Sequence, residues 1–154
     1  MKPRRLTLIS LTLLATILIG AGIIIVLSPT EIGANVKWDP KTYTWDGTPP
    51  TYWNAQISLK QGHKAQTEII PATILLEGIY SPIIAPYNAT HGPRLIVPFS
   101  GSDVKAVLFD KIAHMGVVYP GRYRVTLEIT GQLIGGETFR GSGVIVVTVS
   151  GPGG

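Results

Sequence analysis

Apolar and polar residues alternate in two stretches of the chain, WNAQISLK (53–60) and GRYRVTLEIT (121–130). A period of two with one apolar face indicates a strand that is buried on one side. A third run, VIVVTV (144–149), is rich in β-branched residues and predicts a strand buried on both faces. Weaker strand signals are NVKW (35–38), QTEII (66–70), TILLEG (73–78) and RLIVPF (94–99).

One stretch of the chain after residue 30 has apolar residues three and four apart, SDVKAVLFDKIA (102–113). It predicts a helix of about two turns, which Ser102 or Asp103 could cap and Gly116 could end. About seven strands, with turn signals roughly every 8–12 residues and one short helix, predict an all-β fold, an antiparallel β-sandwich. The four prolines between residues 80 and 98 predict a loop or a sheet edge there, because proline lacks a backbone donor.

The glycine-rich segment TGQLIGGETFRG (130–141) lies between two predicted strands. A phosphate-binding glycine loop would have to lead into the N-terminus of a helix, and a β-branched strand follows here instead. We therefore expect a β-hairpin in which Gly135 and Gly136 form a two-residue turn, with Leu133 and Phe139 packed near its base.

Residues 6–27 carry no charge over 22 positions and directly follow Lys2, Arg4 and Arg5. As a helix they would span about 33 Å, enough for a bilayer core of about 30 Å. Basic residues before such a segment keep the N-terminus in the cytoplasm and place the rest of the chain outside. The prediction is a single-pass signal anchor. A cleaved signal peptide and a buried soluble helix are the alternatives.

The predicted organisation has five parts. They are a cytoplasmic basic tail (1–5), a transmembrane signal anchor (6–27), a linker (28–35), an extracellular β-sandwich (36–150) and a flexible tail (151–154).

Several motifs in order along residues 36–149 resemble an immunoglobulin-like module of secreted and surface-anchored archaeal and bacterial proteins. They are DPKTY (39–43), IIPATILLEG (69–78), LIVPF (95–99), SDVKAVL (102–108) and YRVTLEITGQLIGGETFRGSGVIVV (123–147). The resemblance implies an extracellular immunoglobulin-like β-sandwich and no particular reaction. Many such modules carry aspartates that suggest calcium before the LIVPF-like strand. Residues 80–94 contain no carboxylate here, so no calcium site is expected.

Composition excludes several classes of function. The chain has no cysteine, which rules out disulfides and thiolate metal sites. Its net charge is +4, but residues 28–154 contain ten basic and nine acidic side chains. The folded domain therefore lacks the basic surface that nucleic-acid binding requires.

Candidate catalytic chemistry is sparse. The histidines at 63, 91 and 114 lack the close spacing of a zinc motif, and Asp39/Asp46 and Asp103/Asp110 do not form a calcium-loop motif. Ser142 is not in a nucleophile elbow, because GSG differs from GxSxG. We expect no catalytic residue, no cofactor and no metal site.

Two kinds of surface site are predicted. Asn88 begins the sequon Asn-Ala-Thr in a proline-rich loop and is a candidate glycosylation site. Aromatic residues are crowded between positions 38 and 53, and they could pack in the core, form a belt near the membrane or make a binding platform. The candidate platform residues are Trp38, Tyr43, Trp45 and Tyr52.

These observations favour a non-catalytic, membrane-anchored extracytoplasmic domain with a structural, adhesive or partner-binding role. Its partners would be membrane lipid, through residues 6–27, and a protein or a surface glycan. An accessory subunit of a larger membrane complex is the first alternative. A surface hydrolase, whose catalytic groups are brought together by the fold, is the second.

Overall fold

The computed structural model describes residues 15–19, 22–116 and 120–151, which fall into two compact units divided after Thr30. In the first unit, β1 (Ala15–Ile19) pairs antiparallel with β2 (Gly22–Val26). The helix predicted over 6–27 is therefore replaced by strands at its described positions, where isoleucine, threonine and valine favour extended backbone. Residues 6–14 and 20–21, like the predicted tail at 1–5, lie outside the described residues. No helix within the described ranges is long and apolar enough to cross a membrane.

The second unit is mostly β, as predicted. Its strands are β3 (Glu31–Asp39), β4 (Thr42–Thr44), β5 (Tyr52–Leu59), β6 (Leu75–Leu76), β7 (Tyr87–Asn88), β8 (Leu95–Ser100), β9 (Gly121–Gln132) and β10 (Thr138–Val149). The helices are α1 (Ala65–Glu68), a 3-10 turn (Pro71–Thr73) and α2 (Gly101–Ala113).

The strands form one curled sheet in the order β6-β9-β10-β3-β5-β8-β7. Neighbours in this order are antiparallel, except that β10 runs parallel to β3 at one end and to β4 at the other. The sheet is therefore mixed rather than antiparallel throughout. By its hydrogen bonds it is continuous, because β3 joins β10 on one side to β5 on the other.

The inner side of the sheet forms one hydrophobic core, as the alternating strands predict. Alternate residues of β5 and β9 are buried, except toward the strand ends, where Leu59 and Tyr123 are partly buried. Helix α2 covers the core by packing against β5, β8 and β9. The largest fully buried side chains are aromatic, namely Trp38, Trp53, Phe99 and Phe139. The run 144–149 is buried on one face only, since Val144 is exposed and Ile145 and Val147 are buried.

β10 approaches Trp38 so closely that it can carry no side chain at position 143. A Cβ at Gly143 would lie 2.6 Å from the Val36 carbonyl oxygen and 2.8 Å from Cδ1 of Trp38. The indole N–H of Trp38 is buried against this surface and makes no hydrogen bond within the described residues. Trp38 and Gly143 thus fit together as one packing unit.

The hairpin predicted at 130–141 is confirmed, but its turn is longer. The Leu133 N–H donates to Glu137 O at 2.8 Å, and the Gly136 N–H donates to Leu133 O at 3.0 Å. Three residues therefore form the loop, and Gly136 alone of the two glycines has positive φ, at 96°. This arrangement is a type of three-residue hairpin that glycine permits. Leu133 and Phe139 are buried at the base, as expected.

The predicted helix is confirmed and is longer than two turns, with 13 residues. It begins directly after β8 at Gly101, where any Cβ would overlap the Pro50 carbonyl, and Ser100 is the N-cap residue without a side-chain capping bond. Gly116, with φ of 105°, follows its C-terminal end.

Two weak strand predictions are wrong in part. QTEII (66–70) forms α1 and a single bridge at Ile69, and TILLEG (73–78) contains only the two-residue β6. Such short apolar runs do not separate strand from helix. Strand β3 begins at Glu31, so it already includes most of the segment predicted as a linker, 28–35.

Candidate functional site

The predicted aromatic residues do not share one exposed surface. Trp38 and Tyr43 are buried, with 1% and 7% exposure, and they pack in the core. Trp45 is half-buried and stacks on Phe109 of α2 with ring centroids 3.8 Å apart. Only Tyr52, at 44%, is exposed. The structure thus favours core packing over a platform for Trp38, Tyr43 and Trp45, because tertiary burial removes most of their surface from solvent.

The predicted glycosylation residue lies on the surface. Asn88 is exposed in β7, the two-residue strand at one edge of the sheet. Its backbone pairs with Leu95, and the Ala89 N–H donates to Arg94 O at 2.9 Å. Glycosylation of Asn88 stays a prediction, and its exposure is compatible with it.

The three histidines are not brought together into a metal site. His63 Nδ1 lies 2.6 Å from Glu68 Oε2, His114 Nδ1 lies 3.5 Å from Asp110 Oδ1, and His91 is exposed in the loop after β7. The hydrogen bond from His63, with a second from the Lys64 N–H, lowers the pKa of the Glu68 carboxyl below its ordinary 4.5. No cluster of three metal-ligating side chains occurs in the described part of the chain.

A concave groove lies between α2 and the β6–β9 edge. It consists of two cavities of about 530 and 480 Å³ that share Asp110 and Lys111. The first continues along His114, Met115, Arg124, Val125 and Thr126, and the second along Glu77, Ile79, Tyr80, Ala106 and Val107. We call this surface the α2–β9 groove.

Glu77 directly follows β6 and lines the α2–β9 groove. Its N–H donates to the Glu128 carbonyl at 2.9 Å, and its carboxylate accepts from the Glu128 N–H at 2.7 Å. The other carboxylate oxygen lies 3.0 Å from Lys111 Nζ. The Glu77 carboxylate thus accepts the hydrogen bond that the next backbone carbonyl of β6 would accept, and it also links the sheet edge to α2. The Glu77 backbone has positive φ, 51°, and turns the chain away.

The arginines of β9 and β10 differ in their ion pairs. Arg140 pairs with Glu128 at 2.7 Å and Glu31 at 3.2 Å, and these bonds raise the pKa of its guanidinium. Arg122 and Arg124 are exposed and make no ion pair or hydrogen bond through their side chains within the described residues. They leave positive charge available beside the α2–β9 groove.

A smaller cavity lies between the 3-10 turn that precedes β6 and the loop that connects β6 to β7. It has a volume of about 260 Å³ and is lined by Pro71, Ala72 and residues 81–86. Ile83 and Ile84 at its rim are 48% and 42% exposed. No ionisable side chain lines it, and apart from Ser81 its side chains are apolar.

Sequence reasoning missed the α2–β9 groove completely. Its charged residues are distant in sequence, and no motif connects Glu77 with Glu128. The one available signal is the abrupt end of an apolar run, where Leu76 is followed by Glu77 and Gly78.

No family model matches the chain, and searches among curated proteins and solved structures also give no match. The resemblance to the immunoglobulin-like module therefore remains a prediction from the sequence motifs.

Proposed function

We propose that the chain is a membrane-anchored extracytoplasmic protein whose immunoglobulin-like domain binds a protein partner and catalyses no reaction. The observation that carries this proposal is the uncharged segment 6–27, preceded by three basic residues and followed within a few residues by the β-domain.

Strand order supports the immunoglobulin-like assignment. Such a domain has seven strands, with A, B, E and D in one sheet and C, F and G in the other. Taken in chain order from β3, with β4 counted as the end of the first strand, the strands here fall into the sets β3-β5-β8-β7 and β6-β9-β10. These sets correspond to ABED and CFG, with the first strand joining the two.

Backbone hydrogen bonding supports a helical form of segment 6–27 in lipid. Strands β1 and β2 pair with each other, and among the described residues no further strand pairs with their outer edges. Hydrocarbon cannot satisfy unpaired backbone groups, whereas a helix satisfies them within itself. We therefore expect the segment to be helical once it is in a bilayer.

The shape of the surface supports partner binding. The α2–β9 groove is open, extends over two adjoining cavities and is lined by charged and apolar side chains. Exposed Ile79, Ile83, Ile84 and Tyr87 supply further apolar area, with Ile79 73% exposed. Exposed apolar area of this kind favours the alternative of an accessory subunit docked on a larger membrane complex.

Protease accessibility in intact cells tests the orientation. Externally added proteinase K is expected to remove the domain of residues 31–151, with no need for lysis. The matched control reverses the N-terminal charge with Lys2→Glu, Arg4→Glu and Arg5→Glu, which is expected to protect the domain by inverting the topology. Protection of the unmodified chain in intact cells, with digestion after lysis, would overturn the proposal.

Crosslinking before mild detergent extraction separates the free domain from the accessory subunit. A discrete crosslinked species containing a second protein supports the complex. Recovery of the monomer alone after crosslinking supports a domain that binds its partner only transiently.

A further inference from the structure

Along the outer edge of β9, most of one strand position is not filled by any strand within the described residues. β6 occupies this position next to residues 129 and 130 only, and the chain leaves it at Glu77. Beyond that point, no strand pairs with the outer side of Arg122–Thr126 in the described part of the chain. These five residues extend for about 17 Å at 3.4 Å per residue.

Backbone groups at this edge point outward in a defined pattern. Glu128 exchanges both of its backbone groups with Glu77 on the outer side. Directions alternate along a strand, so the N–H and C=O groups of Arg122, Arg124 and Thr126 also point outward. The Val146 N–H donates to Lys41 O on the side of β10 that faces away from β9. Because Val146 is paired with Arg124, the backbone groups of Arg124 likewise point away from β10. The edge therefore offers three donors and three acceptors at strand spacing.

The α2–β9 groove lies along the same edge. Arg124, Val125 and Thr126 line it from the strand side, and Asp110, Lys111, His114 and Met115 line it from the helix side. An added strand would have one face toward α2 and the other face toward solvent.

The charges along the β9 edge favour one kind of binding segment over another. Lys111 is paired with Glu77, and Asp110 lies beside His114, whereas Arg122 and Arg124 have no acidic partner within the described ranges. A second copy added through its own β9 would bring like charges together across the new pair, which is destabilising. An acidic segment gains charge pairing in the same place.

We propose that the β9 edge, Arg122–Thr126, binds an extended acidic peptide segment of a partner protein by strand addition. Backbone bonds supply affinity in this mode, and alternate side chains supply specificity. The inference rests on the proposed partner-binding role, and its test does not depend on membrane topology. A negative result for peptide binding at the β9 edge is therefore distinguishable from a negative result in the protease experiment.

The test tethers a peptide to the full-length chain in detergent micelles. Val149 pairs with Gly121 at the start of β9, so β10 ends one strand away from the proposed binding position. The probe Thr-Glu-Val-Glu-Val-Glu-Thr is appended after Gly154 through a flexible Gly-Ser linker, which raises its effective concentration to about the millimolar range. The matched control replaces its three Glu residues with Lys.

Amide hydrogen exchange at Arg122, Arg124 and Thr126 is the readout, measured by NMR. With the Glu probe, exchange at these three amides is expected to slow at least about tenfold relative to the untailed chain, and with the Lys probe less than about threefold. No slowing with the Glu probe, or equal slowing with both probes, would overturn the proposal. Protection that occurs without a probe and increases with protein concentration would identify a second copy as the occupant and would also overturn it.

A pair of variants tests the strand geometry. Arg124→Pro removes an outward donor and should abolish the probe-dependent protection at residues 122 and 126. Arg124→Ala removes the charge and keeps the donor, so part of the protection should remain. Full protection in Arg124→Pro would mean that the probe lies elsewhere.

Discussion

The two edges of the sheet, beside β8 and beside β9, are covered to different extents. On the β8 edge, a proline-rich loop and β7 cover the strand, and Pro98 stands at an outward-facing position, where its carbonyl accepts from the Ile83 N–H at 3.1 Å. On the β9 edge, β6 covers two residues, and the outward positions are arginines with intact donors. Proline removes the means of strand addition, whereas arginine keeps it and restricts it by charge. A sheet edge can thus be closed completely or left open to selected partners.

The largest effect should come from the inward side of β9. Val125→Pro removes a donor that faces β10 together with a fully buried side chain, and it should destabilise the protein by about 3 kcal/mol or more. Urea denaturation measures the change. Arg124→Pro, at the neighbouring outward position, should cost less than about 1 kcal/mol. Equal costs would refute the assignment of inward and outward positions.

A smaller effect is expected where Glu77 closes the end of β6. Glu77→Ala leaves the Glu128 N–H without its acceptor and should cost about 1–2 kcal/mol in thermal or urea unfolding. Glu77→Gln keeps an acceptor oxygen and loses only the ion pair with Lys111, which is worth about 1 kcal/mol or less. If the two variants unfolded identically, the carboxylate would not act as a strand substitute.

The covered β8 edge offers a weaker interaction to break. Gln66 Nε2 donates to the carbonyls of Gly92 and Arg94, which holds the loop that follows β7. Gln66→Ala should cost about 0.5–1 kcal/mol and speed exchange of the Ala89 amide. His91→Ala, in the same loop, is the control and should leave that amide unchanged. Unaltered exchange in Gln66→Ala would show that the loop is held by other contacts.

The smallest effect concerns acid stability beside the hairpin loop, where the Ile134 N–H donates to Glu68 O at 2.8 Å. The pKa of Glu68 is lowered in the folded state, chiefly by its hydrogen bond with His63. Its contribution is therefore present above pH 4.5 and is lost as the pH falls through the lowered value. Glu68→Gln should flatten the fall of the thermal midpoint below pH 4.5, and His63→Asn should do the same. A profile that is unchanged in both variants would contradict this assignment.

Local patterns predicted the parts of the fold that depend on local physics. Strands β5 and β9 follow from a period of two, and α2 follows from apolar residues three and four apart. The hairpin followed from its glycines, although one of them, not both, has positive φ.

Long-range features could not be predicted in this way. The burial of Trp38 and Tyr43 depends on packing against distant strands, so an aromatic cluster in sequence did not become an exposed platform. The α2–β9 groove requires Glu77 to reach Glu128 across 51 positions, and no periodicity encodes that contact. β6 itself was partly predicted, but its short length, which leaves the β9 edge open, was not.

The contact between Trp38 and Gly143 has a consequence for the history of this domain. A Cβ at position 143 would clash with the Val36 carbonyl oxygen as well as with the indole, so a smaller residue at position 38 makes no room for a side chain at position 143. Such a residue leaves a cavity that position 143 cannot fill without a shift of the backbone between the two strands. Descendants of an ancestral domain should therefore keep glycine at position 143 even where position 38 has changed.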